Sequence, residues 1–150
     1  MPRIALVVLL LLGACAEPPP LPPSARRDLS PEWVVPGGYR WPPNDGFEGR
    51  ASFVVLPPGV LLDRFGAETG RFFSPRGAGF RGRALPTVCA NMPYFVYRVA
   101  TPLLVRVGPA APWFHEPGGA TQVMTDATAA QLLAHGTLVA LPGGEPPCPS

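Results

Sequence analysis

Arg64, Arg71, Arg76, Arg81 and Arg83 fall within the stretch Asp63–Arg83, where they alternate with Phe65, Phe72, Phe73 and Phe80. A guanidinium is planar and always charged, and it grips phosphate with two parallel N–H donors. An aromatic face stacks on a flat ring. Two phosphates and two aromatic bases make a dinucleotide, so this stretch holds the chemical means to bind one. The same pattern arises when phenylalanines fill a core and arginines cover it, and the residue types alone leave both readings open. Other chemistries have less support. His115 and His135 stand apart, and no Cys or acidic pair has metal-ligand spacing. His135, near the end of an expected helix, suits the negative pole of the helix dipole. A Gly-x-Ser-x-Gly elbow is missing. Gly77–Gly82 (GAGFRG) lacks the preceding strand and following helix that give a nucleotide loop its meaning.

The elements that must position these residues are short. The chain has 150 residues, 23 of them Pro and 17 Gly, so breakers are too frequent for a helical bundle. Hydrophobic residues make up 47 %, which argues for a packed core. All 12 cationic side chains are Arg, and the net charge of +2 is too small to collect nucleic acid electrostatically. Ser52–Leu56 and Val60–Phe65 read as strands around the turn Pro57-Pro58-Gly59. Tyr94–Val99, Leu103–Val107 and Thr137–Leu141 read as further strands, and Thr121–Met124 as a short one. Gly66–Gly82 reads as loop, and Trp33, Tyr39 and Trp41 as a packing cluster. One helix is expected over Asp126–His135, with Thr125 as N-cap and Gly136 beyond its C-terminus. The fold class is therefore α+β and strand-dominated.

Met1–Cys15 (MPRIALVVLLLLGAC) places one positive charge, Arg3, before an apolar run of signal-peptide length. Leu12-Gly13-Ala14-Cys15 resembles a bacterial lipobox, in which the Cys is acylated and becomes the mature N-terminus. The expected organisation is a lipoprotein signal peptide over residues 1–14, then a lipidated Cys15 with a Pro-rich tether to residue 31. A single domain follows over 32–150. The implied location is outside the cytoplasm, lipid-anchored to the cell envelope or secreted, with membrane contact only through the anchor. If Cys15 carries lipid, Cys89 and Cys148 remain, either as two separate thiols or as a disulfide of the kind that persists in exported domains.

Six strings occur in order: WPPNDGFEG from Trp41, then LPPG, LLDRFG, GRFFSP, RALP and PWFHEPGGATQ. In this order and with these gaps, Gly38 to Pro142 resembles the tuberculosis necrotizing toxin domain, a family of secreted NAD glycohydrolases. The resemblance implies a small domain of the ADP-ribosyltransferase-like type, built on twisted β-sheets. It also implies hydrolysis of NAD, as substrate and without a further cofactor or metal, and a cognate immunity protein as partner. By the same resemblance Arg64 holds the pyrophosphate, Phe65 flanks the nicotinamide end, and Arg83 is a second phosphate-binding arginine. Phe72 stands where many members have Tyr. Gln122 faces the nicotinamide ribose and, with Arg64, carries catalysis. One member uses a His between the RALP and PWF strings; here there is none. Glu116 and Asp126 lie near Gln122 in sequence and are candidate helpers. Two other readings stay open: ADP-ribosyl transfer to a protein on the same fold, and a non-catalytic envelope lipoprotein.

Overall fold

The computed structural model describes residues 20–149. The expected signal peptide and lipidated Cys15 lie outside the described residues. A two-stranded ribbon comes first, β1 (Val34–Val35) against β2 (Gly38–Tyr39). Seven further strands form one antiparallel sheet: β3 (Ser52–Leu56), β4 (Leu61–Phe65), β5 (Phe72–Pro75), β6 (Tyr94–Val99), β7 (Leu103–Pro109), β8 (Thr121–Met124) and β9 (Leu138–Leu141). Their order is β3-β7-β8-β5-β4-β6-β9. The single α-helix of the described residues, α1 (Ala129–Ala134), packs against β9. Among the described residues, no helix is long and apolar enough to cross a membrane.

The sheet is continuous but forked. β4 and β5 share only the pairs Leu62↔Pro75 and Asp63↔Ser74. Beyond these, Arg64 and Phe65 continue on β6 alone, while Phe72 and Phe73 pair with β8 alone. The two halves fold over a common core in which Leu62, Phe73, Tyr97, Val105, Val123 and Leu138 are buried. Alternation along each strand sends these side chains inward and their neighbours to the other face. Each fully buried Leu or Val contributes about 1.5–3 kcal/mol over the exposed state. Ala129 and Leu132 of α1 close this core.

Three expectations need correction. The stretch Gly66–Gly82, expected as loop, contains β5. The helix begins at Ala129 rather than Asp126, because Thr128 makes a reciprocal capping box with Gln131. The Thr125 hydroxyl is used elsewhere, on the carbonyls of Arg71 and Ala127. Finally, the described part of the Pro-rich segment, residues 20–31, is packed on the domain rather than standing off as a tether. Ala25 and Leu29 are buried, Ala25 bridges to Thr87, and Arg26 ion-pairs with Glu116.

Candidate active site

The fork between β4 and β5 opens into a cleft of about 690 Å³. Arg64, Phe65, Phe72, Arg83 and Gln122 all line it, although they come from β4, β5, β8 and the 3₁₀ turn Arg81–Arg83. Register explains part of the convergence. Gln122 pairs with Gly108, and Met124 pairs with both Arg106 and Phe72. Directly opposed residues share a face, so Gln122, Met124, Arg106 and Phe72 stand on one side, away from the Val123 core.

Arg64 stitches the mouth of the fork. Its Nε donates to the Ala67 carbonyl (2.9 Å) and its Nη1 to the Phe72 carbonyl (2.8 Å). Burial pushes this guanidinium below the ordinary arginine value, opposed by Tyr97 and Glu68. Among the described residues no carboxylate lies within ion-pairing distance of it. A side chain at Gly70 would collide with the guanidinium, so the loop leaves room for it only because Gly70 has none.

Arg83 is engaged differently. Its Nε and Nη2 donate to the Ala78 carbonyl (3.1 and 2.7 Å). Its Nη2 also lies 2.6 Å from Asp63 Oδ1, and its guanidinium sits 4.9 Å above the Phe65 ring. The approach to Oδ1 is out of line for a hydrogen bond, so charge alone holds that oxygen. Asp63 is wholly buried, and its Oδ2 accepts from Gly77 N and the Tyr94 hydroxyl, each at 2.8 Å. Burial first, then the bond to Asp63, pushes the Tyr94 phenol up to about 12. Phe65 packs edge-on against Phe80, and this cluster rests on the Cys89–Cys148 disulfide, which is formed as cysteine counting allowed.

Gln122 faces the segment Pro42–Phe47. Its Nε2 donates to the Asp45 carbonyl (2.9 Å), which leaves Oε1 as the free acceptor. Glu116 and Asp126 do not join the site. Glu116 is half-buried between Arg26 and Arg81, and neither acid lines the cleft. Arg71, one of the five arginines of Asp63–Arg83, lines it too, and so do residues given no site role from sequence: Tyr39, Trp41, Asp45 and Ser74. Trp33, Tyr39 and Trp41 pack around the buried Phe114 as expected, but Tyr39 and Trp41 also wall the cleft. The WPPNDGFEG string was the available signal for Trp41 and Asp45.

The model of the tuberculosis necrotizing toxin family matches residues 55–141, more than half of the chain. The chain belongs to the tuberculosis necrotizing toxin family. Arg64, Phe65, Phe72, Arg83 and Gln122 lie inside the matched segment, and Trp41 and Asp45 lie before it. A relative is the conidial surface nicotinamide adenine dinucleotide glycohydrolase of Aspergillus fumigatus. It is 38% identical over 119 residues, which is 70% of this chain and 51% of the fungal protein. The chain thus spans about half the length of that relative. The solved structure of tuberculosis necrotizing toxin complexed with its immunity factor superposes with a TM-score of 0.57 at 24% identity. The match covers 67% of this chain and 61% of the toxin chain, and it establishes the family's fold.

Proposed function

We propose that the cleft binds NAD and hydrolyses its nicotinamide–ribose bond. The observation that carries this reading is the convergence on one cleft of Arg64, Phe65, Phe72, Arg83 and Gln122, drawn from separate family strings. The fungal relative, named for the same activity, supports it. Arg64, buried and without a carboxylate partner among the described residues, receives the pyrophosphate; Arg83 offers a second, weaker contact through Nη1. Phe65 and Phe72 flank the flat rings.

The reaction asks little of acids and bases. The C1′–N bond breaks with its electron pair going to the nicotinamide nitrogen, so nicotinamide leaves neutral. Water adds to the cationic C1′, and one proton passes to solvent. The protein must orient the ribose and meet the developing charge. Gln122 Oε1 accepts from a ribose hydroxyl, while Nε2 stays fixed on the Asp45 carbonyl.

The chain acts as an exported, lipid-anchored toxin or effector. The lipobox-like segment at Cys15 and a disulfide of the exported type support this. Free NAD is mainly cytoplasmic, so the enzyme meets its substrate in another cell or after transfer, and its producer carries an immunity protein that covers the cleft. The toxin solved with its immunity factor supports that partner.

Kinetics of nicotinamide release test the site. Gln122→Ala should lower kcat about ten- to a hundredfold with a smaller change in KM, because the interaction matters most as charge develops. A folded Gln122→Ala protein with the wild-type kcat would overturn the assignment.

A further inference from the structure

We propose that Asp45 is the anionic residue of the site, the charge that faces the ribosyl cation as the nicotinamide bond breaks. This rests on the NAD-hydrolysis reading. The other charged residues that line the cleft are cations, Arg64, Arg71 and Arg83, and Asp45 is the one carboxylate among its described lining residues. Those arginines suit the phosphates. Nothing in them helps a carbon that becomes positive, and Gln122 offers only a dipole.

The backbone around Asp45 holds it at the Gln122 end. Asn44, Asp45 and Gly46 are consecutive left-handed residues, with φ of 57°, 51° and 79°. Asn and Asp are the L-residues that tolerate this region best, yet two in succession persist only where the surroundings fix them. Here they do. Asn44 Nδ2 donates to the carbonyls of Phe47 (3.1 Å) and Gly49 (2.6 Å). Ala111 N donates to the Gly46 carbonyl (2.8 Å), and Phe47 is buried beneath the turn. Gln122 Nε2 takes the Asp45 carbonyl itself. The carboxylate is therefore tied, through its own main chain, to the amide that orients the ribose.

The side chain is held as well as the backbone. Arg106 Nη1 holds Oδ2 at 2.7 Å, and Arg106 is braced above the Phe47 ring and against Met124 Sδ. Arg106 shares the sheet face of Gln122 by register. Oδ1 makes no hydrogen bond among the described residues, and the side chain is 47% exposed. One oxygen is thus pinned and the other is free, on the residue whose carbonyl takes the Gln122 amide. Asp45 transfers no proton in the reaction; its charge alone favours the cation.

Asp45→Asn tests this, because asparagine keeps the shape, the left-handed backbone and an acceptor for Arg106. Three quantities are read on the full chain: turnover of NAD, affinity for ADP-ribose, and affinity for a protonated iminosugar that mimics the ribosyl cation. Asp45→Asn should lower kcat about ten- to a hundredfold with KM changed less than about threefold. The iminosugar should bind at least about tenfold more weakly, while ADP-ribose, which has no such cation, binds as well or better. Equal weakening of both ligands would mean a merely structural turn and overturn the proposal, as would an unchanged kcat. Arg106→Gln keeps the carboxylate and a donor within its reach but removes the cation that offsets its charge. The iminosugar should then bind as tightly as to wild type or more so, and weaker binding overturns the proposal. A wild-type chain that releases no nicotinamide sinks the hydrolysis reading itself, whereas wild-type turnover matched by Asp45→Asn sinks this inference alone.

Discussion

At Arg83 a proposed binding role and a folding role share one side chain. The resemblance casts it as a phosphate ligand, yet Asp63 lies against it in the interior with no solvent of its own. Removing the cation strands a buried carboxylate, which typically costs about 3–5 kcal/mol. Arg83→Gln should therefore unfold at markedly lower denaturant than wild type, besides raising KM for NAD. Asp63→Asn added to Arg83→Gln should recover most of the stability and none of the KM, because the stranded charge is gone but the phosphate contact is still missing. Urea unfolding and NAD kinetics on the two variants separate the roles. Recovery of KM in the double variant would show that Arg83 acts only through the fold. Arg64 has no such partner among the described residues, so its charge is the freer of the two. The residue types of Asp63–Arg83 could not reveal this difference. Both arginines look alike in sequence, and what distinguishes them is which carboxylate the fold brings within reach.

The fork between β4 and β5 is the element on which the site depends. Phe72–Pro75 was hidden in sequence because it is only four residues long, ends in Pro, and sits among Gly and Arg. By contrast β3, β4, β6, β7 and β9 were legible from β-branched and aromatic runs, to within a residue or two at their ends. The helix was found but started too early, since Thr125 and Thr128 both suit an N-cap and only Thr128 has a Gln three residues on. The packing of Ala25 and Leu29 left no periodic trace in a Pro-rich stretch. The loop that closes the fork gives a test at this scale. Gly70→Ala places a methyl group where the Arg64 guanidinium lies. The loop or the guanidinium must move, so KM for NAD should rise about tenfold while kcat changes less, with the fold intact by circular dichroism. An unchanged KM would mean that Arg64 does not depend on this loop.

The whole molecule is a forked sheet closed on two sides by chain that lies outside the family match. Residues 24–47 supply one wall, with Ser24, Tyr39, Trp41 and Asp45. The tail is held through Cys148 to Cys89, beneath Phe65 and Phe80. Sequence strings pointed to five side chains that line one cleft because each sits in a short motif of distinctive residues. The walls were missed because their contribution depends on packing across the chain, which no local string records. The reaction proposed for this cleft is NAD hydrolysis. The most direct measurement incubates the purified chain with NAD and quantifies nicotinamide, free ADP-ribose and protein-bound ADP-ribose together. Many turnovers, with nicotinamide and free ADP-ribose released in equal amounts and none retained on protein, are predicted. NAD left intact at stoichiometric enzyme, or nicotinamide released with its ADP-ribose recovered on protein, would contradict the account.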